Sequence, residues 1–170
     1  MEELTLSILV HNSSGVLTRV SSLFARRGYN IDSLTVGPTN NPEISRMTVV
    51  AQGDQRILEQ IEKQLRKLED VIEIFALPRS SSVYRELVLV KVESNASTRA
   101  DIVSIVDIFR AKIVDVSPDS MVIEVTGDQG KVNGLLAMLD GFNIVEIVRT
   151  GMAGIARGLN DLDIKKEKEK

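Results

Sequence analysis

The chain has no cysteine and no tryptophan, a single histidine, four prolines, and only four phenylalanines and two tyrosines in 170 residues. Without cysteine there is no disulfide, no thiol nucleophile and no cysteine-type zinc site. With so few aromatics, any core must be built mainly from Val, Ile and Leu. A formal net charge of −3 argues against a general nucleic-acid binder, which carries an excess of cations. No apolar run approaches the ~18 residues of a membrane span, and the N-terminus shows no basic-then-apolar signal pattern. A cytoplasmic protein that contacts neither membrane nor nucleic acid is expected.

The scarcity of histidine also limits catalysis. A Ser-His-Asp triad would have to use His11 with Ser13 or Ser14, and side chains so close along one turn do not aim at one another in that geometry. There is no G-x-x-x-x-G-K-[ST] phosphate loop and no G-x-G-x-x-G fingerprint. Glu69-Asp70 is a pair of acids at a helix end and reads as solvated. Met47 and Met121 fall in strands and read as core. Gly151 to Gly158 reads as a loose tail, and the lysine–glutamate run 165–170 as a solvated one. No catalytic residue, metal ligand or cofactor site is expected in this chain.

What is present is regular. Hydrophobic residues make up 43% of the chain, enough for packed cores. Strand patterns at Leu4–Val10, Ile31–Val36, Ile44–Ala51 and Val71–Leu77 alternate with helical patterns. Val16, Leu17, Val20, Leu23 and Phe24 share one helical face, as do Leu58, Ile61, Leu65 and Leu68. Gly37-Pro38 should stop the second strand. After a polar break at Arg79–Ser82 the order recurs: strands at Glu86–Val92, Ile113–Val116, Met121–Val125 and Ile144–Val148, with helical faces at Ile102, Ile105, Val106, Phe109 and at Val132, Leu135, Leu136, Leu139. Gly53-Asp54-Gln55 in the first half corresponds to Gly127-Asp128-Gln129 in the second. The expected fold class is therefore α+β, with two ferredoxin-like βαββαβ domains, each an antiparallel sheet with helices on one face. The expected domains are 1–78 and 79–158, with a charged tail at 159–170. Domains this small leave a sheet face or edge to be covered, and a second copy of the chain is the expected cover.

The stretch Val10 to Thr39 carries the functional signal. A polar turn, His11-Asn12-Ser13-Ser14-Gly15, separates the first strand from the first helix. The first N–H groups of a helix lack partners and carry partial positive charge, and a glycine lets another molecule approach them. Such an end takes a carboxylate without a basic side chain. Asn12 and Asn30 flank the site in sequence, and an amide, both donor and acceptor, suits a zwitterion such as an amino acid. The same Asn-Ser-Ser-Gly is also an ordinary serine-capped turn. In the second half, the corresponding stretch Glu93 to Thr98 has no glycine and carries an acid, so the ligand is expected in the first half.

The longer wording tips this balance. H-N-S-S-G-V-L, then R-R-G-Y-N-I-D-S-L-T-V-G-P-T, then S-R-M-T-V and Q-I-E-K-Q-L-R-K-L-E-D-V resemble the regulatory small subunit of acetohydroxyacid (acetolactate) synthase, over about Leu4 to Gly158. The resemblance implies an N-terminal ACT domain that pairs with its copy and a C-terminal ferredoxin-like domain. It implies an effector, valine or another branched-chain amino acid, bound at Asn12, Gly15 and Asn30. Backbone N–H groups at Gly15, Val16 and Leu17 would then hold its carboxylate. Asn30 and the Ile31 backbone would reach across from the partner chain, with Leu17 and Ile31 as apolar walls. His11 stands where relatives carry an acid. The implied partner is a large catalytic subunit holding thiamine diphosphate, Mg²⁺ and FAD, in branched-chain amino acid synthesis. This chain, not itself an enzyme, would activate that subunit and transmit feedback inhibition. Two other readings of the residues stand beside it: a free-standing ACT-type amino-acid sensor, and a ligand-free structural ferredoxin-like dimer.

Overall fold

The computed structural model of the chain describes residues 2–158. Two compact units divide them, one formed by residues 2–83 with 152–158 and the other by Tyr84–Gly151.

In the first unit, β1 (Glu2–His11), α1 (Val16–Arg26), β2 (Ile31–Pro38), β3 (Ile44–Gly53), α2 (Gln55–Leu65) and β4 (Val71–Ala76) follow the expected βαββαβ order. The sheet order is β2-β3-β1-β4. β3 pairs antiparallel with both β1 and β2, so β1 and β2 run the same way with β3 between them. On the helix side, Leu6, Ile8, Val10, Met47, Val49 and Ala51 meet Val16, Val20 and Phe24 of α1 and Leu58, Ile61 and Leu65 of α2. Ile61 and Leu65 are fully buried, worth about 1.5–3 kcal/mol each relative to exposure. The pattern puts α2 through Leu68. Its helix ends at Leu65 and the chain tightens to i−3 bonds, Lys67 N–H donating to Gln64 O and Leu68 N–H to Leu65 O.

Gly37-Pro38 does not stop β2: Gly37 pairs with Arg46 and Pro38 with Ser45. β2 is the outermost strand, where a residue without an N–H is tolerated. The segment expected as a loose tail also differs. Ala153–Ala156 is a strand, β9, belonging to the first unit. It is moored by Met152 N–H donating to Ser33 Oγ (2.6 Å), Thr35 Oγ1 donating to Met152 O (3.2 Å), and Arg157 N–H donating to Ser81 O (2.8 Å). Ser33, Thr35 and Thr48 lie on the sheet face away from the helices, so β9 closes part of the face the sequence left bare.

The second unit repeats the order with β5 (Ser82–Glu93, which starts in the first unit), α3 (Arg99–Ile108), β6 (Lys112–Val116), β7 (Ser120–Gly127), α4 (Gln129–Leu139) and β8 (Ile144–Arg149). Its sheet order is β6-β7-β5-β8. Val88, Val90, Val92, Ile102, Met121, Ile123, Val125, Val132 and Leu135 form a second aliphatic core. Both units are α+β with antiparallel sheets. No helix among the described residues is long and apolar enough to cross a membrane.

The repeated Gly-Asp-Gln has one physical cause. Asp54 caps α2 by accepting from Ile57 N–H, and Asp128 caps α4 by accepting from Lys131 N–H, each at 2.9 Å. The capped turn folds back on the preceding glycine: a Cβ at Gly53 would stand 2.8 Å from Ile57, and one at Gly127 2.7 Å from Lys131. Asp54→Ala and Asp128→Ala should each lower stability by about 1 kcal/mol in urea denaturation, the usual worth of an N-cap.

Candidate functional site

α1 begins at Gly15, whose φ of 85° and ψ of −8° lie in the left-handed region, and no side chain caps it. Its first turn therefore presents backbone N–H groups and the positive end of the dipole to whatever lies outside. Val16 is 3% exposed and anchors the turn in the core, so only its N–H is available to a ligand. Leu17, expected on the buried face, is 45% exposed and leaves an apolar side chain beside the turn. Asn12 is exposed; its Nδ2 donates to Pro42 O (2.8 Å) and its backbone N–H to Glu43 O (2.7 Å), tying the turn to the β2–β3 hairpin. His11 closes β1 against Ile44 and is exposed.

Asn30 and Ile31 are elsewhere. Ile31 pairs with Ala51, whereas His11 pairs with Ile44, seven positions away along β3. At about 3.4 Å per residue this is roughly 24 Å, the length of the sheet. β1 and β2 are also not neighbours, since β3 lies between them. Within one chain the two asparagines cannot face one ligand. Asn30 Nδ2 donates to Asp32 Oδ1 (2.6 Å), beside an irregularity in the β2–β3 register. Ile31 is half-buried and packs against the core.

Three charged residues to which the sequence assigned no role in the site frame these positions. Arg19 lies one helical turn beyond Gly15. Its Nη1 stands 2.9 Å from where a Gly15 Cβ would be, so the missing side chain makes room for a guanidinium beneath the turn. That guanidinium makes a bidentate pair with Asp70, Nη2 donating to Oδ1 at 2.8 Å and Nε to Oδ2. Asp70 also accepts, through its backbone oxygen, from His11 N–H (2.9 Å). The third is Asp32. The i, i+4 spacing of Gly15 and Arg19 was open to view; the Asp70 contact, closing 51 residues, was not.

The hydrogen bond from Arg19 holds the Asp70 carboxyl below its ordinary range, and the Asp70 carboxylate raises Arg19. For Asp70, a lowered folded pKa means stabilisation that is present above the unfolded value and lost as pH falls through the folded one.

The comparisons with known proteins fall on this frame. Residues 6–73 match the family model described as the AHAS small subunit-like ACT domain, which makes the first unit an ACT domain. Residues 85–158 match the model described as the small subunit of acetolactate synthase. The chain is 49% identical over 154 residues to the probable acetolactate synthase small subunit of Methanothermobacter thermautotrophicus, covering 90% of this chain and 92% of that one. It is 46% identical over 154 residues to the acetolactate synthase isozyme 3 small subunit of Escherichia coli, covering 90% and 94%. The crystal structure of the small subunit from Thermotoga maritima superposes with a TM-score of 0.86 at 40% identity, over 93% of this chain and 99% of that one. The chain belongs to the family of acetolactate synthase small subunits.

Two outcomes are expected at the turn. Gly15→Ala should destabilise by about 1–2 kcal/mol from the left-handed backbone, because Arg19, locked to Asp70, is also in the way; urea denaturation reads this. The stability difference between wild type and Asp70→Asn should be constant around neutrality and fade as pH falls below the ordinary aspartate value of about 3.9. A difference that instead grows on acidification would contradict the pairing.

Proposed function

We propose that this chain is the regulatory subunit of an acetolactate synthase, raising the rate of a thiamine-diphosphate-dependent catalytic subunit and subjecting that rate to feedback by valine. It has no catalytic role of its own in this reading, holds none of the synthase's cofactors and works in the cytoplasm. Family membership supports the coarse assignment. The observation that carries the finer one is the uncapped Gly15 turn together with the placement of Asn30 immediately before an outer strand.

β2 is an edge, with unpaired backbone groups on one side. Pairing β2 antiparallel with β2 of a second copy about a two-fold axis reverses one sheet relative to the other. The end carrying Asn30 in one chain then meets the end carrying Asn12 and Gly15 in its partner. The separation of roughly 24 Å within one chain, fatal to a site in a monomer, becomes what a two-chain site requires, and symmetry makes two of them.

In each site the effector carboxylate sits on the N–H groups of Gly15, Val16 and Leu17, with the Arg19 guanidinium next to it. Asn12 of one chain and Asn30 with the Ile31 backbone of the other take the remaining polar atoms. Leu17 supplies apolar wall, and so does Ile31 as far as the core leaves it free. Selectivity among branched-chain amino acids is then modest, since one methylene in an apolar pocket is worth about 1–3 kcal/mol. Valine bound at the seam stabilises one arrangement of the paired ACT domains, the catalytic subunit prefers another, and the difference is the coupling, about 1–3 kcal/mol in such systems.

Calorimetric titration with L-valine tests this through mixing. Asn12→Ala and Asn30→Ala should each abolish binding. A co-refolded mixture of the two variants should recover it, because in a mixed dimer one site keeps both asparagines. Recovery absent from the mixture, with wild type binding, would place all ligand contacts in one chain and overturn the shared site.

A further inference from the structure

A second feature of the ACT domain lies on its helix side. The groove between α1 and the turn after α2 has a volume of about 540 Å³ and is bordered by Arg19, Arg26, Arg27 and Lys67, with Leu23 and Leu68 among its lining. Arg19 is paired with Asp70. Arg26, Arg27 and Lys67 are exposed and have no ion pair among the described residues. The nearby cations of α2 are neutralised within their own helix, Lys63 by Glu59 and Arg66 by Glu62. Thus a chain of net charge −3 gathers three unneutralised cations about one groove that also offers two leucines. Cations at the end of α1 suit its dipole, but that accounts only for Arg26 and Arg27. Lys67 belongs to another element, and the helix dipole does not require the leucines.

Resting on the function proposed above, we propose that this groove docks an acidic segment of the catalytic subunit, its carboxylates between Arg26, Arg27 and Lys67 and an apolar side chain over Leu23 and Leu68. A small anion would use the charges and leave the leucines wet; a segment carrying acids beside an apolar residue uses both. The groove is also separate from the β2 edge, so docking and pairing of two copies do not compete. Arg19 belongs to both places: it borders the groove and stands 2.9 Å from the position of a Gly15 Cβ. An acid arriving in the groove and a carboxylate arriving at the turn draw on one guanidinium. The two sites therefore sense each other through Arg19 as well as through the dimer.

The test is association of the full chain with its purified catalytic subunit, measured by interferometry at two salt concentrations. The variants are Arg26→Glu/Arg27→Glu/Lys67→Glu, the milder Arg26→Gln/Arg27→Gln/Lys67→Gln, and Arg56→Glu, an exposed cation on the first turn of α2, as control. The reversal should weaken association at least tenfold, the neutral variant less, both with a shallower salt dependence, while Arg56→Glu binds as wild type. Should the reversal fold poorly by circular dichroism, the neutral variant decides. Wild-type affinity in a folded variant overturns the docking and leaves the proposed function standing. A wild-type chain that does not bind the catalytic subunit removes that function and the docking with it. Binding of inorganic triphosphate by wild type, lost in the reversal while association with the catalytic subunit persists, assigns the groove to a small polyanion and also overturns the proposal.

Discussion

The insertion of β3 between β1 and β2 governs what the ACT domain can do. A strand paired antiparallel to both neighbours forces those neighbours to run the same way. The chain must then travel from the end of β1 back to the start of β2 before it can begin, and α1 is that return. So the turn opening α1 and the residues opening β2 lie at opposite ends of the sheet. Asn12 and Asn30, eighteen positions apart in sequence, are parted by the full strand length. β2 is left outermost in the same stroke, with an edge to offer. The topology that separates the two halves of the proposed site also supplies the edge by which a two-fold axis would rejoin them.

The second constraint is electrostatic. A helix N-terminus is a poor place for a cation, yet Arg19 is held beneath one. It stays because Asp70 takes two of its donors, and because Gly15 has no side chain to displace it. A carboxylate at the turn would relieve that repulsion directly. The turn thus combines N–H groups without a side-chain cap, no acid in its first helical turn, and a guanidinium held by Asp70.

Much of this was legible in the sequence. Period-3.6 and period-2 patterns located eight of the nine strands and the four α-helices among the described residues, because each buries one aliphatic face and the cores have few aromatics to blur the pattern. The recurrence of Gly-Asp-Gln marked the repeat, since a capped helix start folding onto its preceding residue demands the same three properties twice. What escaped depends on distance along the chain. Pro38 reads as a stop unless β2 is known to be an edge. Ala153–Ala156 is too short and too rich in small residues to announce a strand, and its moorings at Ser33 and Thr35 lie more than a hundred residues away. Arg46 donates to Ser7 Oγ across the sheet (2.7 Å), a contact between residues far apart in sequence. Asp70 read as a solvated acid, because nothing local points to Arg19.

The two units share a fold and differ at the corresponding turn, so the difference between them lies in the helix starts rather than in the architecture. In the second unit, Asn95 Oδ1 accepts from Ser97 N–H (2.9 Å) and Thr98 N–H (3.2 Å), Asn95 O accepts from Arg99 N–H (3.0 Å), and Asn95 N–H donates to Thr98 Oγ1 (3.0 Å). Asp101 adds a negative charge to the first turn of α3. The N–H groups of the turn leading into α3 are thus taken up by Asn95, and the charge of Asp101 opposes an incoming carboxylate there. At Gly15 no side chain performs either task. An asparagine bonded to its own turn and an acid in the first helical turn therefore set the second copy of the fold apart from the first, where a left-handed glycine opens the helix.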